Sequence, residues 1–268
     1  MRKTDKNKRI SGNSENRDGQ RMDRERKEGV VMMQSIKKQI KLSLGDCGIG
    51  LGVTAGCVVF GLIFTQMMRV AGPVEPAEMA LLMSVFGALG AGIYIALYMG
   101  FSLLINFKLQ VGMGSTRKDF LVSYYIVGAV SSLVLVFFVA AAAAVSQAAY
   151  GRIYGTKDIL DVTPMVLKWG IPAAFSLPAV SSMCGALILR FGKRAGWIIW
   201  AIWMIGCLSF PWLAETVSEM PDSEIGKVGT SAVSMLRNIP DGMWIVLILI
   251  AGAIGFAVEA HLLSGQEV

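Results

Sequence analysis

The sequence predicts an all-α, polytopic membrane protein with six transmembrane helices. Both termini are expected to be cytoplasmic, and an amphipathic interfacial helix is expected ahead of the first span. Three observations carry that expectation. The 268-residue chain is 54% hydrophobic and only 16% charged, where a soluble globular chain carries about a quarter charged residues. Its mean hydropathy is +0.57, and 20 of its 44 charged residues fall in the first 48 positions, so the rest is poorer still in charge. Finally, six runs match the roughly 20 apolar residues that a helix needs to cross a bilayer core.

Residues 1–32 are polar and charged, lack an apolar period, and read as a disordered tail. Lys27-Glu28-Gly29 back-translates to codons that can contain a bacterial ribosome-binding sequence, and Met32 follows at a start-codon spacing. Translation is therefore expected to begin at Met32 or Met33, which would leave the tail outside the natural protein. Residues 33–268 then form the transmembrane domain. Within MMQSIKKQIKLSL, Met33, Ile36, Ile40 and Leu44 share one helical face, with Lys37, Lys38 and Lys41 opposite. That pattern predicts a short helix lying in the membrane interface.

The six spans run over about 47–68, 79–105, 120–146, 165–189, 197–213 and 243–263. In the first, Gly48, Gly52 and Gly56 recur every fourth residue on one face, where small residues let helix backbones approach closely. Ala88 with Gly92, and Ala251 with Gly255, repeat that spacing in the second and sixth spans. Leu104, Phe107 and Val111 keep helical spacing, so the second helix is expected to run past the membrane surface. The fourth span carries Pro172 and Pro178, each of which removes a backbone donor. They mark either a kinked, moving helix or the ordinary prolines of membrane helices. The connection 214–242 has helical character around Ala232 to Leu236. It reads either as short helices dipping back toward the membrane or as a solvated loop.

Orientation follows from Lys and Arg. With the amino terminus inside, the inner segments carry 19 of the 25 basic residues. Without the tail the bias persists: the inner loops 106–119 and 190–196 hold six in 21 positions, against six in 61 for the outer segments. Trp169, Trp212 and Trp244 fall near predicted outer ends and Trp197 near an inner one, the interfacial depth that indole rings favour. The net charge of +6 arises within residues 1–48, which hold 13 basic and seven acidic residues. A basic flank beside a membrane span reads lipid and topology rather than nucleic acid.

The residue inventory excludes several chemistries. A phosphate-cradling GxxxxGK[ST] loop is missing: Gly192-Lys193 and Gly226-Lys227 lack both the earlier glycine and the following hydroxyl. The chain is therefore expected not to be an enzyme and to carry no cofactor. The run GIGLG lacks the strand that a dinucleotide fingerprint requires. HExxH and GxSxG motifs are absent. Four cysteines without a CxxC pair, and the lone His261, make neither a disulfide framework nor a metal site. No charged residue lies at the centre of a span, which counts against an ion-coupled carrier; Lys168 is placed to snorkel outward, and Glu259 and His261 sit near the inner end of the sixth span.

One inner loop carries more than topology. In VGMGSTRKDF, residues 111–120, Gly112 and Gly114 break the preceding helix. Thr116 and Asp119 have the spacing of a capping box that starts the next one. Arg117 and Lys118 lie in that helix's first turn, the wrong end for cations, and positive-inside selection explains them. Topology does not require the apolar Val111, Met113 and Phe120, which suit a small knob docking on another protein.

The interfacial helix, the six spans, this loop and the long connection between spans five and six together resemble ABC-transporter permeases of the short exporter type. Many small bacterial members carry a Gly-(Ser/Thr)-Arg-Lys-x-Phe turn at this place, matched by Gly114, Ser115, Thr116, Arg117, Lys118 and Phe120. The resemblance implies that Val111, Gly112 and Met113 lie in a coupling segment seated in a cleft of a separate ABC ATPase subunit. It further implies a homo- or heterodimer of permease subunits, contact with membrane lipid, no nucleic acid, and export across the bacterial cell membrane. The alternative is an integral membrane protein without transport activity, such as a sensor, immunity factor or assembly partner.

Overall fold

The structure, a computed structural model, describes residues 4–72, 76–112, 116–154, 162–219 and 238–264. Among these, all regular structure is helical. The helices are α1 (Thr4–Ala71), α2 (Pro76–Gly112), α3 (Arg117–Tyr154), α4 (Val162–Phe191), α5 (Lys193–Glu219) and α6 (Asp241–Ser264). Five contain stretches long and apolar enough to cross a membrane: Ser43–Val70, Leu81–Gly112, Arg117–Ile153, Val162–Phe191 and Asp241–Ser264. Except at the start of the second, these overrun the sequence-derived spans because polar ends continue the backbone ladder after apolarity fades. The helical character expected at Ala232 to Leu236 lies outside the described residues.

Two expectations at the amino-terminal end need correction. Helix α1 reaches back to Thr4, through the stretch expected to be irregular. That stretch is rich in Lys, Arg and Glu, which retain side-chain freedom in a helix. The segment 33–44 is likewise not a separate interfacial helix but an unbroken part of α1. Its apolar Met33, Ile40 and Leu44 face outward, whereas Gln39 and Ser43 are buried. Gln39 accepts a hydrogen bond from the amide of Gln110 on α2. Packing against the end of α2 therefore sets this segment's direction.

Helix α4 is the hub, touching α2, α3, α5 and α6. Its buried positions are mostly small: Ala174, Ser176, Ala179, Ser181, Ser182, Gly185 and Ala186. Without hydrophobic pressure between helices in lipid, close backbone approach and interhelical hydrogen bonds hold a bundle together. Both are present. A Cβ on Gly185 would lie 2.6 Å from the Gly100 carbonyl oxygen of α2, and one on Gly252 of α6 would lie 2.8 Å from Ser176 Cα. Ser176 donates to the Ile248 carbonyl at 2.7 Å, and Ser181 to that of Ala96 at 2.5 Å. Helix α4 stays helical through Pro172 and Pro178, both buried. Neighbouring helices tolerate such prolines without a break in the chain.

Helices α1, α2 and α3 pack on one another beside the hub. Phe60 and Phe64 of α1 meet Phe86 of α2 edge-on, at 5.4 and 5.5 Å between ring centres. Among the described residues α5 touches α4 alone and exposes Trp197, Ile198, Trp200, Ile202, Trp203, Ile205 and Leu208. The α4–α5 turn is made at Gly192, whose φ of 70° is the left-handed cap glycine adopts without strain.

Side-chain contacts fix which helix ends share a side. Gln39 meets Gln110, and Arg117 meets Leu263 and Ser264. One end of the bundle thus gathers the approach to the first span, the end of α2, the start of α3 and the end of α6. At the opposite end Lys168 pairs with Asp241 at 2.5 Å, joining the early turns of α4 to the start of α6. Helix α4 therefore ends, and α6 begins, at opposite ends of the bundle.

Candidate functional site at the α2–α3 turn

The turn between α2 and α3 opens with a formed cap. Thr116 Oγ1 accepts the Asp119 amide at 3.1 Å and donates to Asp119 Oδ2 at 2.7 Å, satisfying one of the free donors at the start of α3. Met113, Gly114 and Ser115 lie outside the described residues. Gly112, Thr116 and Lys118 are exposed. Val111 is partly buried against the core.

Two residues of the expected coupling loop point inward. Phe120 is 0% exposed, with its ring 5.5 Å from Phe107 and 5.4 Å from Tyr124. It is a core residue, so the expectation that it docks on a partner does not hold in this conformation; burying an aromatic side chain in a packed interior is the stronger demand. Arg117 Nη1 donates to the carbonyls of Ser264 at 3.1 Å and Leu263 at 3.5 Å. A cation that is misplaced at the start of α3 is thereby well placed at the carboxyl end of α6, where the helix dipole favours it.

Behind the turn lies a polar seam that the sequence reading missed. The Tyr98 hydroxyl donates to the Asp46 carboxylate, and that of Tyr94 to the Asp46 carbonyl. One turn after Tyr98, Ser102 shares a hydrogen bond with the Tyr124 hydroxyl at 2.5 Å, and Tyr124 also donates to the Met99 carbonyl at 2.6 Å. The seam crosses α1, α2 and α3. A cavity of about 20 Å³ lies beside it, lined by Ser43, Tyr94, Tyr98, Tyr124 and Ser132 among others, enough for about one water. On the α4–α6 side, Glu259 is 1% exposed and accepts from Ser182 at 2.6 Å. Its second oxygen has no partner among the described residues, leaving lone pairs for a proton, a water or a cation. The available signals were Tyr94 and Tyr98 one helical turn apart, and Glu259 as the acidic residue within the last span.

The glycine expectation also needs correction within the chain. Gly48, Gly52 and Gly56 face outward, and a Cβ on any of them would meet nothing within 4 Å. The α1–α2 seam runs instead through Gly50 against Tyr94, Gly61 against Met83 and Phe86, and Gly90 against Cys57. Of the weaker pairs, Gly92 also faces open space, whereas Gly255 lies close to Ala179. No known family, curated protein or solved structure matches the chain.

Proposed function

We propose that this chain is the membrane-spanning permease subunit of an ATP-driven transporter of the ABC type. It would carry its substrate outward across a bacterial cell membrane, as a dimer of permease subunits with a separate ATPase. The termini and the α2–α3 turn would face the cytoplasm, where the basic residues concentrate. All six helices would cross, with α5 completing the return that the opposed ends of α4 and α6 require.

One observation carries this reading. Gly112, Thr116 and Lys118, which flank the α2–α3 turn, are exposed yet attached firmly to what lies behind them: Phe120 is seated in the core and Arg117 is bound to the end of α6. A partner pressing on them displaces α2, α3 and α6 together, which is what a coupling element must do. The contact surface is then Gly112, Thr116 and Lys118, rather than the apolar knob.

The test is copurification. Full-length chain cross-linked in its native membrane and purified in nanodiscs should bring an ABC ATPase with vanadate-sensitive hydrolysis. Lys118→Glu, which breaks no described internal contact, should lower the bound ATPase about tenfold, equivalent to about 1.4 kcal/mol, with insertion unchanged. Absence of any ATPase, or an equal yield with Lys118→Glu, would refute the coupling role.

A further inference from the structure

At the end of the bundle away from the α2–α3 turn, α2, α3 and α4 do not close on one another. They leave a cleft of about 300 Å³, within the range of small-ligand sites. It exists because both long walls are lined with small residues at helical spacing: Ala88, Ala91 and Gly92 on α2, and Gly170, Ala173 and Ala174 on α4. Val136 and Val139 of α3 form the floor. At the lips, Val85 and Met165 are 43% and 52% exposed, so the cleft opens sideways from the bundle.

Shape and surroundings select the occupant. The lining extends from Leu81 to Ile95 on α2 and from Val162 to Leu177 on α4, about 20 Å of helix. The site is therefore a long apolar trough running along the helices, a shape that suits an extended hydrocarbon chain. The lining inward of Lys168 lies within stretches apolar enough to cross a membrane, so that part of the opening faces lipid tails, while Val162, Met165 and Val166 lie toward the headgroups. The level of the polar boundary is marked by Lys168, whose ammonium sits 5.7 Å from the centre of the Trp169 ring and pairs with Asp241. Trp169 itself lines the cleft. Indole and lysine at one depth are the usual anchors at the headgroup level.

We propose that the cleft between α2, α3 and α4 is a binding site for one acyl chain of a membrane phospholipid, with the polar end of that chain at the level of Lys168 and Trp169. The site is independent of the transporter reading, since its walls belong to this chain alone.

Trp169 provides the readout. The full chain, with Trp197, Trp200, Trp203, Trp212 and Trp244 changed to Phe, is placed in vesicles of phosphatidylcholine containing a rising fraction of phosphatidylcholine brominated on its acyl chains. Trp169 fluorescence should be quenched saturably at low bromolipid fractions. Gly92→Leu projects a side chain into the cleft that Gly92 lines, and its Cβ meets nothing within 4 Å. It should raise the half-quenching fraction at least about fourfold, the weight of one displaced methylene. Ala88→Leu on the same wall serves if Gly92→Leu does not insert. Quenching merely proportional to the bromolipid fraction, or unmoved by both substitutions, would overturn the site. So would no quenching at all, which would mean that the cleft is covered by residues 220–237 or by a second copy. Quenching by a brominated fatty acid but not by the phospholipid would overturn the assignment to a phospholipid.

Discussion

The sharpest test of the packing is a single methyl group at Gly185. A Cβ there would lie 2.6 Å from the Gly100 carbonyl oxygen, with Leu103 Cδ2 at 3.2 Å. An ordinary carbon–oxygen contact is about 3.3 Å or longer, so α2 and α4 must part by about 0.7 Å. The obstructing atom belongs to the backbone and cannot rotate aside. A gap of that size forfeits a quarter to a half of the dispersion attraction across the seam. Overpacking of this kind costs about 1–3 kcal/mol. A cost of about 2 kcal/mol would raise the unfolding constant about thirtyfold. Equilibrium unfolding in mixed micelles with a rising SDS fraction, followed by tryptophan fluorescence, measures this directly. Gly52→Ala is the matched control, since its new methyl meets nothing within 4 Å; it should be neutral or slightly stabilising through helix propensity. If Gly185→Ala fell within about 0.5 kcal/mol of the parent, or if Gly52→Ala cost as much, the small-residue hub would be wrong.

Other perturbations probe the polar contacts. Tyr98→Phe removes the hydroxyl bonded to Asp46 and should cost about 0.6 kcal/mol, with about 1.7 kcal/mol as an upper bound; a double-mutant cycle with Asp46→Ala that gave additive effects would refute the bond. Glu259→Gln keeps an acceptor for Ser182 and should be nearly neutral, whereas Glu259→Ala leaves Ser182 only its 3.2 Å bond to the Ala179 carbonyl and should cost about 0.5–1.5 kcal/mol; equal losses in the same SDS titration would sink this account. Arg117→Ala should loosen the last turn of α6, with amide exchange at Leu262, Leu263 and Ser264 about two- to fivefold faster. The same change on Lys118→Ala would mean that general charge, rather than the contact to α6, is responsible.

The sequence made the class of the protein legible because hydrocarbon imposes a one-dimensional rule: long apolar runs must be helices. The Thr116–Asp119 cap was equally readable, since it needs only residues three apart. What escaped was rotation about the helix axis. Gly48, Gly52 and Gly56 form the most regular small-residue stripe on α1, yet packing uses Gly50 and Gly61. In lipid, outward residues are as apolar as inward ones, so an apolar stripe no longer marks the buried side of a helix. Phe120 misled for the same reason, because exposed and core phenylalanines look alike in such a chain. The buried face is marked instead by Gln39, Ser43, Thr54, Ser102 and Glu259, groups that bare hydrocarbon cannot satisfy. Reading the polar residues rather than the apolar ones would have oriented the helices.

Arg117 shows how far local rules extend. Within α3 it opposes the dipole of its own helix, and sequence spacing offers no local compensation. The compensation lies 146 residues away, at the Leu263 carbonyl, because antiparallel packing brings the start of one helix to the end of another. A charge that reads in the sequence as part of a loop facing the cytoplasm is held at a joint inside the chain. Its neighbour Phe120 fixes the same turn to Phe107 and Tyr124, and Tyr124 continues into the seam of Ser102 and the Met99 carbonyl. Displacing the turn therefore means moving the end of α6 and straining the buried hydrogen bonds of Tyr124. A motion resisted in this way is transmitted rather than absorbed, and transmission is the property a coupling element needs.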